Sequence, residues 1–234
     1  MDGRRRQGGQ RGIAVFNHVK RGIRPRSQVR RLPDRGAYDR ETIHAILDAG
    51  LVCHVGFVSE GQPFVIPMNY GRDGDRLLLH GSAASRLMRG MEAGWPVCLT
   101  VTLLDGLVLA RSAFHHSMNF RSVMLFGRAR PVADSAAKTA ALRVISEHLV
   151  PGRWDEVRPP DARELAMTAV LEVPIEEASA KIRTGPPKDD PEDLSLPVWA
   201  GVLPLETIPG APLPDGGEGP AEVPLHVRAW PRGR

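Results

Sequence analysis

Three apolar runs of strand length follow one another too closely for any helical crossover, and this limits the fold more than any other feature. Leu51 to Val58 leads into Ser59-Glu60-Gly61-Gln62, Pro63 to Tyr70 leads into Arg72-Asp73-Gly74-Asp75, and Arg76 to His80 follows directly. Parallel neighbours need a crossover of about a dozen residues or more, so these runs must pair antiparallel through tight turns. Further on, Val97 to Leu104 meets Asp105-Gly106, a hairpin signal, and Leu107 to Ala113 is expected to return from it. Phe120 to Val132, Met167 to Val173 and Val198 to Leu203 complete the strand candidates. Asp39 is placed to cap a helix carrying Ile43, Ile46 and Leu47 and closed by Gly50. Asp134 is placed to cap another with Ala137, Ala141, Leu142, Ile145 and Leu149 on one face, stopped by Pro151-Gly152. A short piece at Asp161 to Leu165 precedes the Met167 strand. The expected class is mainly β, a β-barrel with peripheral helices, and not a doubly wound parallel sheet.

Charge divides the chain of 234 residues into parts. The first 36 residues hold ten arginines, one lysine and two aspartates, whereas the whole chain carries only +4, so the body is net acidic. Residues 1–36 read as a disordered basic arm, 37–208 as the barrel domain and 209–234 as a disordered Pro/Gly-rich tail. The arm offers non-specific charge to nucleic acid or anionic lipid, but no specific nucleic-acid partner is expected. The longest apolar run, Val97 to Ala110, is broken by Thr100, Thr102, Asp105 and Gly106, so no membrane span is expected. No apolar leader segment follows the basic start. The two cysteines, Cys53 and Cys98, lie in apolar strands and fit small buried thiols of a reducing compartment better than a disulfide framework, with a single bridge as the alternative, so a cytoplasmic protein is expected.

The stretch Leu77 to Met91, LLLHGSAASRLMRGM, carries the first candidate site. It opens as a strand, breaks at His80-Gly81-Ser82 and continues at helical spacing through Leu87, Met88 and Met91. Free N–H groups at the helix start, the hydroxyls of Ser82 and Ser85 and the guanidinium of Arg86 one turn in together suit a phosphate. The alternative is that Ser82 is simply an N-cap and Arg86 a solvated helix residue. His115-His116 is either a contact to a small-molecule substrate or a loop pair. His44 and His54 read as structural, and Lys181 and Arg183 alternate on a strand-like piece facing an anion or solvent. No metal site is expected, since no His, Cys, Asp or Glu set has ligand spacing.

Three segments carry a family resemblance: PFVIPMNYGRDGDRLLLHGSAASR, LDGLVLARSAFHHSMNFRSVMLFGRA and EASAKIRTGPPKDDPEDLSLPVWAGVLPL. They resemble the pyridoxamine 5′-phosphate oxidase-like flavoproteins, within them the flavin-nucleotide-binding branch that includes nitroimidazole-resistance proteins. The resemblance runs from about Tyr38 to Leu205 and includes Pro197-x-Trp199-x-Gly201-x-x-Pro204. It implies a split β-barrel of the FMN-binding type, a homodimer, and FMN held in a groove between subunits. By the same resemblance His80, Gly81, Ser82, Ser85 and Arg86 hold the FMN phosphate, with Leu87 where the family has a lysine. Val65 to Tyr70, with Pro67, Met68 and Asn69, lines the flavin ring; Arg121 and Ser122 reach it from the strand after the hairpin, and Trp199 contacts it at the dimer groove. The family's closing Arg and His, which hold pyridoxal phosphate, have no match after Pro204. The implied function is a flavin-dependent oxidoreductase acting on a small organic substrate, not a true pyridoxamine phosphate oxidase. The alternatives are a haem- or deazaflavin-binding split barrel, or a flavin-binding module without turnover.

Overall fold

The computed structural model describes residues 26–217 and 222–230. Its first helix, α1 (Arg40–Ala49), begins where Asp39 accepts the Thr42 amide at 2.8 Å and buries Ile43, Ile46 and Leu47. Gly50 ends it for lack of space. A Cβ there would lie 2.4 Å from Val101 Cγ1 and 2.8 Å from the Tyr70 hydroxyl.

The hairpin β2 (Val52–Ser59) and β3 (Gln62–Asn69) closes through Glu60 and Gly61, both at positive φ, the conformation of a tight two-residue turn. The strands β4 (Gly71–Asp73) and β5 (Arg76–Ser82) follow, and then the helix α2 (Arg86–Glu92). In β2, Cys53, Val55 and Phe57 are buried and His54 and Val58 exposed, the period-two pattern of a sheet with one covered face.

The hairpin expected at Asp105-Gly106 is absent. One strand, β6 (Pro96–Leu109), runs straight through it with a register shift between Leu104 and Gly106. The reversal comes later, over Ala113–His115, and β7 (Ser117–Arg128) pairs along nearly all of β6. The expected return strand is the far half of β6. Gly106 is also pinned from the other side by β11 (Gly201–Pro204), whose Leu203 carbonyl lies 3.0 Å from where a Cβ would sit. Asp105-Gly106 is therefore a bulge held between two neighbours.

After the two-residue β8 (Arg130–Pro131), Asp134 caps α3 (Ser135–Leu149), and α4 (Ala162–Met167) begins with a complete capping box from Asp161 and Glu164. The strands β9 (Thr168–Pro174) and β10 (Glu177–Arg183) complete two antiparallel sheets. With β1 (Gly36–Ala37), the larger runs β1-β10-β7-β6-β2-β3 with β11 beside β6, and the smaller β4-β5-β9-β8. The two sheets form a split β-barrel with helices on its outside. Leu77, Leu79, Leu171, Val173, Leu99 and Val101 fill the main core, and Leu78 and Val170 form a second one with Ala141 and Ile145 of α3.

The basic arm expected over 1–36 lies outside the described residues up to 25. From Arg26 the chain lies against the barrel. Arg26 donates to both carboxylate oxygens of Glu177 at 2.8 and 2.5 Å, the Val29 amide donates to the Tyr38 hydroxyl at 2.9 Å, and β1 pairs with β10. In the expected tail, a short helix α5 (Leu225–Arg228) precedes Trp230, whose Nε1–H donates to the Leu149 carbonyl at 2.8 Å. Both cysteines are free; Cys53 faces the core and Cys98 the opposite side of the sheet, so they cannot bridge. Burial pushes the Cys53 thiol up to about 12. Among the described residues no helix is long and apolar enough to cross a membrane.

Candidate functional site

Strand β5 stays paired with β9 as far as Ser82 opposite Thr168, so Ser82 belongs to the sheet and is not the helix cap. The cap is Ser85, whose Oγ accepts the Met88 amide at 3.2 Å, and Arg86 is the first helical residue instead of lying one turn in. The turn between them spends its own donors: the Ala83 amide on the Met167 carbonyl, Ala84 on Ser82 Oγ and Ser85 on the Ser82 carbonyl. Arg86 and Leu87 take the first two helical positions, whose amides precede the intrahelical ladder.

These residues border a cavity of about 430 Å³ lined by Phe57, Phe64, Ile66, Met68, Gly81, Ser82, Ser85, Arg86, Leu87 and Met88. Its floor is apolar, and its mouth carries two hydroxyls and one guanidinium. Arg86 makes no ion pair among the described residues; its Cζ lies 4.7 Å above the Phe64 ring. Phe64 in turn stacks on Phe57 at 5.3 Å between centroids, and Phe57 on Trp95 at 5.8 Å. Gly81 leaves the approach open, since a Cβ would sit 3.1 Å from Met88 Cγ.

The structure thus gathers Met68, Gly81, Ser82, Ser85 and Arg86 around one space. Pro67 and Asn69 alternate to the other face of β3. His80 points away from Gly81, with Nδ1 buried and without a hydrogen-bond partner among the described residues, and burial lowers its pKa. Arg121 and Ser122, neighbours on β7, face opposite sides of the sheet, and neither lines this cavity. Arg121 grips Asp105 at 2.7–3.2 Å, while Ser122 Oγ donates to the Lys181 carbonyl at 3.3 Å. Trp199 is 68% exposed, and its ring lies over Gly201.

His115 pairs with Asp190 at 3.0 Å, which raises its pKa, and His116 Nε2 lies 3.2 Å from the Ala110 carbonyl. Arg183, by contrast with its expected exposure to anion or solvent, is buried and donates to Asn119 and to the Gly185 and Pro186 carbonyls. Sequence reasoning passed over Phe57 and Phe64. The register of the 59–62 turn sets them directly opposite each other, on the face that Met68 shares.

A second, larger cavity of about 590 Å³ opens where β2 and β6 begin to diverge. Val52, His54, Thr102, Leu104, Arg121 and Trp230 are among its walls. Ala49, Gly50, Leu103, Asp105 and Glu206 also line it, so it is walled from both sides of the sheet at the end of α1; on the outer side of the sheet Val52, Val58, Val65, Leu104 and Met124 are between 42% and 66% exposed.

Residues 39–182 match the family described as Pyridoxamine 5′-phosphate oxidase, and the chain belongs to that family. Among solved structures it is similar to the flavocytochrome Anf3 from Azotobacter vinelandii, with 47% identity over 88% of this chain and 96% of that one, at a TM-score of 0.83. It is similar also to an FAD and haem binding protein from Mycobacterium smegmatis, at 39% identity over 83% and 96% and a TM-score of 0.78. A Bacteroides thetaiotaomicron protein provisionally described as conferring 5-nitroimidazole resistance matches at 26% identity over 63% and 86%, TM-score 0.54. The comparison with curated proteins finds no match.

Proposed function

We propose that this chain is a flavin-nucleotide-binding redox protein acting on a small organic substrate. One observation carries the proposal: the guanidinium of Arg86, without a counter-ion among the described residues, stands over Phe64 at the mouth of the 430 Å³ apolar cavity. Beside it lie the Ser82 and Ser85 hydroxyls. An aromatic-lined floor with anion donors at the rim suits a flat ring system that carries a phosphate. The flavin, when bound, supplies the hydride and electron-pair chemistry, and the protein supplies orientation and charge. Arg86 neutralises the phosphate; Phe57, Phe64, Ile66 and Met68 exclude water from the ring. The resemblance points to FMN, whereas the M. smegmatis relative is named for FAD. Titration of flavin-stripped protein with FAD, FMN and riboflavin separates them. Tighter binding of either nucleotide than of riboflavin supports the reading, and equal binding of all three removes the phosphate anchor from it.

The protein acts as a homodimer in this reading, because the exposed apolar outer face around Val58, Val65 and Met124 is what a second copy would cover. A monomer that holds stoichiometric flavin in light scattering contradicts it. The two free thiols fit a cytoplasmic setting.

A second reading adds a haem to the flavin. It is favoured by the names of two relatives given above, a flavocytochrome and an FAD and haem binding protein.

A further inference from the structure

We infer that Trp95 is the positioning residue of the flavin site: its ring sets where the Arg86 guanidinium stands over the cavity. The inference rests on the flavin-nucleotide reading above and adds a residue that does not itself line the cavity.

The need for such a residue follows from Arg86 itself. It is exposed, and among the described residues its guanidinium makes no ion pair or hydrogen bond and rests only on the Phe64 ring. A long cationic side chain held this lightly samples many rotamers, and ordering it when a ligand arrives subtracts from affinity. Whatever fixes both Phe64 and the helix that carries Arg86 reduces that loss in advance.

Trp95 fixes both. The helix α2 ends in a Schellman turn, in which the Trp95 amide donates to the Gly90 carbonyl at 2.9 Å and the Gly94 amide to the Met91 carbonyl at 3.0 Å. Gly94 supplies the left-handed backbone this turn requires, with φ at +81°. The turn folds the Trp95 side chain back onto the helix at Gly90. A Cβ there would lie 2.1, 2.4 and 2.5 Å from three atoms of the indole's six-membered ring, so a side chain at 90 would displace it. Gly90 follows Arg86 by four residues and shares its face of α2. The same indole stacks on Phe57 at 5.8 Å between centroids, Phe57 stacks on Phe64 at 5.3 Å, and Arg86 lies over Phe64 at 4.7 Å. The contacts close a circuit that runs from Trp95 through Phe57 and Phe64 to Arg86, and back along one helical turn to Gly90. On the other side, Arg128 of β7 donates to the Gly94 carbonyl and ties the turn to the sheet. Loosening Trp95 frees the ring under Arg86 and the helix that carries it together.

The test uses the full chain. Wild type, Trp95→Leu, Trp95→Phe, Gly90→Ala, Arg86→Ala, and Trp95→Leu combined with Arg86→Ala are titrated with FMN, FAD and riboflavin. Flavin fluorescence anisotropy reads binding, and circular dichroism reads the fold. For Trp95→Leu, nucleotide affinity should fall roughly threefold to tenfold, the loss expected when one long side chain must be ordered on binding. Riboflavin should bind this variant as it binds wild type. Gly90→Ala, which pushes the indole off the helix without adding anything to the cavity, should show the same selective loss. Trp95→Phe keeps a ring for Phe57 to stack on and should bind nucleotide better than Trp95→Leu. With Arg86 already replaced, Trp95→Leu should weaken nucleotide no further, because the two residues act as one unit. The inference is overturned if Trp95→Leu binds nucleotide like wild type, if it loses riboflavin equally, or if its loss adds in full to that of Arg86→Ala. Trp95→Phe binding no better than Trp95→Leu overturns it as well. Should Trp95→Leu lose its circular dichroism, Gly90→Ala decides: a selective loss of nucleotide supports the inference, and wild-type binding overturns it. Each of these failures leaves the flavin reading intact as long as Arg86→Ala alone loses nucleotide. Wild type that binds neither nucleotide better than riboflavin removes that reading, and this inference with it.

Discussion

Strands β5 and β3 are both apolar, yet one is swallowed whole and the other is left bare. Leu77, Leu78 and Leu79 of β5 are each no more than 1% exposed, because the barrel interior takes Leu77 and Leu79 and α3 takes Leu78. Val65 of β3 is 66% exposed and Ile66 36%. β3 pairs with β2 alone and ends the larger sheet, and among the described residues its outer side stays open at Val65. Its inner side, Phe64, Ile66 and Met68, faces the cavity that Arg86 closes. The difference separates what the chain needs in order to fold from what it keeps for something else. β5 serves stability, whereas β3 leaves apolar side chains open on both faces, one toward the cavity and the other toward solvent.

The sharpest way to break this comparison is to truncate one residue of each strand. Leu79→Ala should cost about 2–5 kcal/mol in chemical denaturation, since it deletes a fully buried side chain between two packed layers. Val65→Asp should change the stability of the single chain by no more than about 0.5 kcal/mol. It should instead weaken self-association at least tenfold, about 1.4 kcal/mol, in sedimentation or light scattering. Unfolding of Val65→Asp at wild-type dimer content would mean that β3 is a structural strand after all.

A smaller effect concerns how β5 keeps its partner. β9 is delivered to it by α4, whose capping box uses Glu164. The Arg158 guanidinium and the Asp161 amide beside it hold the Glu164 carboxyl at about 2, against an ordinary 4.5. A depressed carboxylate contributes stability above its unfolded value and loses it as pH falls through the folded one. The thermal midpoint should therefore show a modest acid decline between pH 4.5 and about 2, and Glu164→Gln should flatten that part of the profile. The pair is exposed, so the change is small.

Much of this was legible where the signal was local. Asp39, Asp134 and the Glu60-Gly61 turn act within a few residues, and each does what its chemistry predicts. Asp105-Gly106 misled because a turn signal is decided by its neighbours: β7 and β11 hold the chain straight on both sides, and the dipeptide becomes a bulge. Ser82 and Ser85 are equally good caps in sequence. Only the length of the β5–β9 ladder, a contact with residues far along the chain, chooses between them. The same holds for the site. Gly81 to Arg86 is contiguous and could be read, whereas Phe64 beneath Arg86 depends on how a hairpin folds over a helix.

The central claim is that Arg86 closes the apolar cavity as a phosphate anchor, and Arg86→Ala titrated with flavin nucleotide and with riboflavin tests it most directly. Charge-assisted hydrogen bonds contribute about 1.5–3 kcal/mol each, so nucleotide affinity should fall between roughly tenfold and a few hundredfold. Riboflavin, which has no phosphate, should bind the variant nearly as well as it binds wild type. Equal losses for both ligands, or no loss for either, would contradict the account and leave Arg86 a solvated residue resting on Phe64.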